Sequence, residues 1–437
     1  MATTDEQLAA AAAHPGRFAR LGRLARLGRR GDPPRGTLPR DVRAARDAVG
    51  LVFIVNGFAF ASWAARLPAI RDDLHLTPGS LGLTLLAVSI GSVTMLPLSG
   101  GIVRRLGPAH AVVVSAGMSM AGLFVVGVAP VIPVLAIGLA LLGSGVGVWD
   151  VAMNVEGAEV ERRMGRDVMP RFHAGFSLGT VGGAGVSAVA AATDVPVRLH
   201  LPAVAVVVLA GAVLAVRRFL PDAHAAATPA AAAAEAGTAP GRTGLIAAWL
   251  ERRTLLIGVL VFSMALAEGS ANDWLALAVV DGYGAVHAVG ALAFGVFVTG
   301  MTATRLAGPW LLARFDPVHV VRGSAVLVMA GSLLVVAGAE SADGSGTAVA
   351  LVPALVGGLI WGGGAALGFP MGMTAAATDP RHSAARVGVV STIGYTAFIA
   401  GPPLLGTIGQ HVGVARSLLA VSIAVMLALV TAGAVRR

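Results

Sequence analysis

Long apolar runs alternate with short polar segments along most of this chain. A run of about 20 apolar residues is what an α-helix needs to cross a hydrocarbon core about 30 Å thick. Runs of this length lie near 45–66, 80–100, 109–129, 133–154, 171–193, 199–216, 254–278, 286–307, 320–338, 349–373, 386–408 and 417–435. The pattern predicts an all-α polytopic membrane protein with twelve transmembrane helices, called spans 1 to 12 in chain order.

One connection is much longer than the others. Residues 219–253 contain AAATPAAAAAEAGTAPG, a low-complexity composition typical of a linker. The predicted organisation is therefore a basic cytoplasmic tail at 1–44, a six-helix half at 45–218, a cytoplasmic linker at 219–253 and a second six-helix half at 254–437.

Composition supports this class and excludes several kinds of site. The chain has 437 residues, of which 56% are hydrophobic and only 13% charged, unlike a soluble protein of the same length. Cysteine is absent, which excludes disulfides and thiolate ligands. No nucleophile elbow, nucleotide-binding motif or metal-ligand spacing occurs. We therefore expect no catalytic residue, no metal and no cofactor, and the chain is not predicted to be an enzyme.

The distribution of arginine predicts the orientation. All 32 basic residues are arginine, and only four fall in loops that would be periplasmic if both termini are cytoplasmic: Arg66, Arg71, Arg198 and Arg416. This asymmetry is the positive-inside pattern. It explains the net charge of +9 without a nucleic-acid partner. The prediction is a monomer in the bilayer of a bacterial cytoplasmic (inner) membrane.

The two halves repeat one another. Gly91 and Gly300, Pro108 and Pro317, and His110 and His319 are each offset by 209 residues: 300 − 91, 317 − 108 and 319 − 110. Two halves with the same orientation predict parallel six-helix repeats, with a binding site between them near the membrane midplane.

The loop after span 2, GGIVRRLGP, resembles a signature of the major facilitator superfamily of secondary transporters. That signature is Gly-x-x-x-Asp-Arg-x-Gly-Arg, and Gly100, Arg105 and Gly107 match it. Arg104 stands at the position of the acid, and Pro108 replaces the last arginine. The resemblance covers nearly the whole chain after residue 44 and implies alternating-access transport driven by a gradient.

A second resemblance concerns the cargo. The Asp-x-x-x-Asn sequence in span 4, followed by HAGFSLG, is similar to the sugar-permease branch that includes fucose–proton symporters. It implies proton-coupled movement of a small, sugar-like solute. Two alternatives stay open: proton-driven efflux of drugs or metabolites, and a transporter-like receptor without flux.

Four polar residues inside spans are the first candidates for solute or proton binding. Hydrocarbon offers an ionisable side chain no water, so such a residue is a functional candidate by default. Asp150 and Asn154 lie one turn apart on span 4, and Glu268 and Asn272 repeat this spacing on span 7. Glu268 is predicted as the principal proton carrier, with Asp150 as a second carrier or a gate partner.

Each acid also has a structural alternative. Asp150 would pair with Arg104 or Arg105 if span 4 ended earlier. Glu268 would bond to a hydroxyl such as that of Ser263 or Ser270. Each alternative requires the named arginine or serine to lie within hydrogen-bonding distance of the carboxyl.

Four further residues complete the predicted binding set. His173 opens span 5 and titrates near neutral pH, although a lone histidine at a helix start is more often interfacial. Asn56, Trp361 and Tyr395 lie near the middles of spans 1, 10 and 11. The aromatic rings would suit stacking on a sugar, and packed rings with satisfied polar atoms are the alternative.

A gate is predicted at the cytoplasmic ends of the spans. Arg104 and Arg105 replace the usual acid–arginine pair of the signature loop. Glu156, Glu159 and Asp379 border spans 4 and 11. We expect these arginines to meet one of these acids when the cytoplasmic side is closed.

Overall fold

The computed structural model describes residues 39–221, 242–342, 349, 351–378 and 382–436. Within these ranges, eleven helices are long and apolar enough to cross a membrane. The longest, Pro78–Val128, is broken at Gly107, whose φ of 76° and ψ of 157° are not helical. It therefore contains two spans, and the prediction of an all-α fold with twelve spanning helices is confirmed.

The spanning helices α1–α12 correspond in order to the predicted spans. Those of the first half are Arg40–Ala64, the two parts of Pro78–Val128 on either side of Gly107 (α2 and α3), Ile132–Met164, Met169–Ala192 and Val197–Val216. Those of the second half are Arg252–Tyr283, His287–Arg314, Pro317–Ser341, Val352–Ala376, Ser383–Val412 and Val414–Val435. Short helices also occur at Leu67–Asp73 and Arg242–Leu250.

Helix packing repeats between the halves. In the first half, α1 packs on α5 and α6, and α4 packs on α2 and α3. In the second half, α7 packs on α11 and α12, and α10 packs on α8 and α9. The halves meet where α2 packs on α11 and α5 packs on α8. In the repeat, α2 corresponds to α8 and α11 corresponds to α5. The two contacts are therefore equivalent, as expected for parallel repeats.

Glycine permits the closest of these contacts. A Cβ added at Gly143 on α4 would lie 2.0 Å from the carbonyl oxygen of Val88 on α2. At the equivalent place, a Cβ at Gly362 on α10 would lie 1.9 Å from the carbonyl oxygen of Phe297 on α8. Small residues let backbones approach in a membrane, where lipid removes the hydrophobic drive for association.

Several helices differ from the expected boundaries. α2 continues to the break at Gly107, so Arg104 and Arg105 lie in its last turn and not in a loop after it. α4 continues through Met164, so Glu156 and Glu159 lie on this helix and not in a charged loop after it. α8 continues to Arg314. Arg242–Leu250 at the end of the predicted linker is helical, because proline is absent there and Ala248 packs on α11. Residues 1–38 of the tail, 222–241 of the linker and Asp379 lie outside the described residues.

Candidate functional site

A cavity of about 380 Å³ lies between the two halves. Side chains from α1, α2, α4 and α5 form one wall, and side chains from α7, α8 and α11 form the other. Three carboxyls and one guanidinium line it, those of Asp150, Glu268, Asp273 and Arg305. The other lining side chains are mostly apolar. Polar groups from both halves thus converge on one enclosed space.

The face of the molecule that holds the start of α1 and the end of α12 is called the terminal face. The opposite face is closed by contacts between the halves. Arg71 Nη1 donates to Asp281 Oδ2 at 2.5 Å, and His287 Nε2 lies 2.8 Å from Asp72 Oδ2. This is called the closed face. Asp150 and His173, which lie nearer the terminal face, are exposed, so the cavity opens toward that side.

Deeper contacts extend the seal at the closed face. Gly79 N donates to Gln410 Oε1 at 3.2 Å, and Ser89 Oγ donates to the carbonyl oxygen of Phe398 at 2.8 Å. A Cβ at Gly82 would lie 2.4 Å from the carbonyl oxygen of Pro402. α2 and α11 are therefore in backbone contact along this part of the interface.

Glu268 is ion-paired across helices. Arg305 Nη2, on α8, donates to Glu268 Oε1 at 3.1 Å. The two side chains are 32% and 19% exposed respectively, so both remain in contact with the cavity. Neither Ser263 nor Ser270 is the partner of Glu268: Ser263 Oγ donates to the carbonyl oxygen of Val259, and Ser270 Oγ has no partner within the described residues.

Arg305 was missed by the sequence reasoning because span 8 was expected to end near residue 307. An arginine at that boundary is explained by the positive-inside pattern. Because α8 continues to Arg314, Arg305 lies two turns inside the helix. A useful signal was the offset of 37 residues between Glu268 and Arg305 (305 − 268), which places them on consecutive antiparallel helices at similar depth.

Asp150 interacts within its own helix. Asn154 Nδ2 donates to the carbonyl oxygen of Asp150 at 2.8 Å and to Asp150 Oδ1 at 3.3 Å. Asp150 lines the cavity. Its partner is this amide, not Arg104 or Arg105, both of which lie one turn or less before Gly107.

α7 changes geometry next to Glu268. Ala271–Leu275 forms a π-helical turn between two α-helical segments. Asn272 and Asp273 both lie on this turn and line the cavity. The Oδ1 atom of Asn272 is buried without a hydrogen-bond partner among the described residues. Such turns are rare and occur frequently at functional sites.

The other predicted residues are divided between the cavity and the packed interior. Tyr395 lines the cavity, with its ring 6.4 Å from Phe398. His173 is exposed, and its ring meets that of Phe53 edge-on at 5.1 Å. It lies close enough to interact electrostatically with Asp150 and Arg305.

Asn56 and Trp361 are buried away from the cavity. Asn56 Nδ2 lies 3.6 Å from Met153 Sδ, and the ring of Trp361 meets that of Phe297 edge-on at 6.0 Å. Their burial fits the packing alternative, although Trp361 Nε1 has no hydrogen-bond partner within the described residues. The cavity instead obtains aromatic rings from Phe60, Trp63 and Phe176.

The predicted gate acids are engaged within their own half in this state. Glu159 accepts from Arg162 at 2.5 Å and from Arg163 at 2.7 Å. Glu156 Oε1 accepts from the backbone N–H of Leu220 at 2.7 Å. Among the described residues, no group of three or more His, Asp or Glu side chains is arranged to hold a metal ion.

Comparisons with known proteins agree with this architecture. The family model described as Major Facilitator Superfamily matches residues 49–402. The uncharacterized transporter y4wD of Sinorhizobium fredii is 30% identical over 360 residues, covering 82% of this chain and 89% of that protein. An uncharacterized MFS-type transporter of Yersinia pestis is 30% identical over 367 residues, covering 82% and 88%. The crystal structure of the nucleoside transporter NupG superposes with a TM-score of 0.69 at 15% identity, covering 90% of this chain and 98% of that one.

Proposed function

The chain belongs to the major facilitator superfamily. We propose that it carries a small polar, sugar-like solute across a bacterial cytoplasmic membrane by alternating access, coupled to movement of a proton in the same direction. Membership confirms the resemblance inferred from the sequence and makes the chain a multi-pass membrane transporter. Our proposal adds to this membership the class of substrate, the coupling to protons and the cytoplasmic position of both termini. Fold alone does not specify a cargo.

The observation that carries the proposal is the cavity between the halves. It is closed on one face by contacts between the halves and open toward the other, as alternating access requires. Groups from both halves line it, so a solute bound there contacts both and is sensitive to their relative rotation. A ligand shifts such an equilibrium only by the difference in its affinity for the two states.

A polar cargo is supported by the paired groups at the centre. Glu268 and Arg305 present an acceptor and a donor at 3.1 Å, and Asn272 adds an amide oxygen with no protein partner in the described chain. Hydroxyl groups of a sugar can bond to the carboxylate and the guanidinium, which both remain in contact with the cavity. Trp63 and Tyr395 supply flat apolar faces nearby, on which a sugar ring can stack. NupG, whose fold this chain shares, is a nucleoside transporter, and a nucleoside combines hydroxyl groups with a flat ring.

Proton coupling requires a carboxyl that gains and loses a proton as access alternates. The cavity offers Asp150, Glu268 and Asp273. A carboxylate in a membrane interior is stabilised only by a partner or by protonation. The charge on one of these groups would therefore differ between the two access states.

A second candidate function is export of lipophilic compounds. It is favoured by the mostly apolar lining of the cavity. The two functions differ in cargo and direction but use the same alternation. A receptor without flux would bind a solute in the same space and leave its distribution across the membrane unchanged.

The test is a reconstitution of the full chain in liposomes with an imposed pH gradient. A thermal-shift screen of sugars, polyols, nucleosides and lipophilic dyes first selects the compounds that bind. We expect a labelled polar solute to accumulate with the gradient and to equilibrate without it. Gradient-driven movement of dyes alone would establish export, and binding without any flux would establish a receptor.

A further inference from the structure

We propose that Asp273, presented to the cavity by the π-helical turn of α7, is the residue that binds the transported proton. The assignment rests on the proposed proton coupling and specifies its site. It also separates two roles that the sequence placed together on Glu268: solute contact, and proton binding.

The π turn explains how Asp273 reaches the cavity. Five residues of regular α-helix rotate by one full turn and about 140° more. Glu268 and Asp273 would then point to different sides of α7. Both side chains nevertheless line the same cavity. Asp273 lies within the wider turn Ala271–Leu275, where the rotation per residue is smaller than in a regular α-helix. The π turn therefore lies at the position where the orientation of the Asp273 carboxyl departs from that of a regular helix.

The three cavity carboxyls differ in their partners. Glu268 is held by Arg305, and Asp150 accepts from Asn154. Asp273 has no hydrogen-bond or ion-pair partner in the described part of the chain. Burial without a partner favours the neutral form of an acid. The carboxyl of Glu268 is instead engaged by the guanidinium of Arg305, whereas that of Asp273 is not.

Charged and titratable groups reach the surroundings of Asp273 from four of the helices that line the cavity. The charged or titratable groups are Glu268 on α7 itself, Arg305 on α8, Asp150 on α4 and Tyr395 on α11, with His173 on α5 beside the cavity. The lining residues of α1 and α2 are uncharged. Arg305 is already bound to Glu268, so its charge is largely compensated.

The depth of Asp273 fits a proton taken up from the closed face. α7 runs from Arg252 at the terminal face to Tyr283 at the closed face. At 1.5 Å per residue, Asp273 lies about 8 Å nearer the closed face than Glu268. When the closed face opens, Asp273 is the first of the three carboxyls to meet water from that side. It gains a proton there, becomes neutral and permits the return; when the terminal face opens it loses the proton to water.

Infrared difference spectroscopy of the full chain in liposomes tests the assignment without a known solute. The probe is the proton itself, added by pH titration. We expect a carbonyl band of a protonated carboxylic acid that disappears as pH rises. Isotopically labelled aspartate should shift this band in the unmodified chain, whereas a glutamate band would not shift.

Variants then distinguish the two aspartates of the cavity. The titrating band should be lost in Asp273→Asn, and it should remain in the matched variants Asp150→Asn and Glu268→Gln. Asp273→Glu should restore a titrating band that no longer shifts with labelled aspartate. If Asp273→Asn does not fold, loss of the labelled band in Asp150→Asn overturns the assignment and its persistence supports it.

A titrating band that belongs to Glu268, or the absence of any titrating band, would also overturn the proposal. Failure of the proposed function has a different signature. In that case the Asp273 band titrates as expected, but no solute accumulates with a pH gradient in the flux assay.

Discussion

α4 and α7 carry the same acid-x-x-x-Asn sequence at related places in the two halves, but the two pairs form different interactions. On α4, the amide of Asn154 bonds to Asp150 one turn away. On α7, Glu268 pairs with Arg305 on another helix, and the Oδ1 atom of Asn272 has no partner within the described residues. The local backbone accounts for the difference, because α4 is a regular helix here and α7 opens into a π turn.

The difference shows that equal spacing of side chains does not fix their partners. A regular turn brings residues i and i+4 together, so the first pair satisfies itself and leaves little for a solute. In the second pair, Asn272 lies on the wider turn and Glu268 pairs with Arg305 in place of the amide. Both residues line the cavity. Sequence similarity between the halves thus coexists with a different local geometry, and we propose that the second half is specialised for binding the solute.

The largest effect is expected from breaking the cross-helix pair with Arg305→Gln. Glu268 would then lie in a membrane interior without its cation. A buried charged group that loses its partner costs about 1–3 kcal/mol, or more when fully desolvated. We expect a lower unfolding temperature in detergent and loss of solute flux in liposomes.

The double variant Arg305→Gln/Glu268→Gln is the matched control. It removes both charges, so we expect most of the lost stability to return while flux stays low. Equal destabilisation by the single and double variants would show that the pair is not coupled. In that case Arg305 would act through packing alone.

Much of the architecture could be predicted from the sequence because it depends on local features. The lengths of the apolar runs give the spans, and Gly107 and Pro108 mark the break between α2 and α3. The site depended on tertiary contacts. The pairing of Arg305 with Glu268 could not be predicted without knowing how far α8 extends. No residue pattern near Asn272 predicts a π turn. Asn56 and Trp361 are of residue types that often line a cavity, but the orientation of their helices places both side chains in the packed interior.

A smaller effect is expected when the two amides are compared. Asn154→Ala removes hydrogen bonds on α4 worth about 0.5–1.5 kcal/mol each, so unfolding temperature should fall slightly while solute affinity is retained. Asn272→Ala removes an atom that has no protein partner, so stability should be unchanged or slightly raised. Its effect should appear as weaker binding of the solute found by thermal shift. Equal effects of the two variants on affinity would contradict the proposed specialisation.

The same contrast extends to the helix ends. Asp281 near the end of α7 bonds to Arg71 of the other half, whereas Glu156 and Glu159 near the end of α4 bond within their own half. The acids of α4 are therefore available to Arg104 and Arg105, at the end of α2, only after they exchange partners. This exchange would accompany closure of the terminal face.

Charge reversal at Arg105 tests the exchange. Arg105→Glu should repel the acids that this end of α2 meets when the terminal face closes, and so increase the population that is open there. The chain has no native cysteine, so Leu85→Cys in the cavity wall is a clean reporter. With an impermeant thiol reagent added on the side of the closed face, we expect Arg105→Glu to reduce labelling several-fold. Unchanged labelling would remove Arg105 from the gate, and Arg105→Lys should behave as the unmodified chain.

The smallest effect is expected at the closed face, where the pairs are partly exposed and each contributes about 0–1 kcal/mol. Asp281→Asn removes the partner of Arg71, so labelling of Leu85→Cys from that side should rise about two- to fivefold, a factor that corresponds to energies of this size.

Acid pH should also increase the labelling of Leu85→Cys from the side of the closed face. Burial alone raises the pKa of Asp72, but hydrogen bonds from Arg71 and His287 outweigh it and hold the pKa below its usual range. A depressed pKa means that Asp72 stabilises the closed face at neutral pH and that this stabilisation is lost as pH falls through the lowered pKa. Labelling should therefore rise at acid pH in the unmodified chain and rise less in Asp72→Asn; an equal rise in both would assign the response to another group.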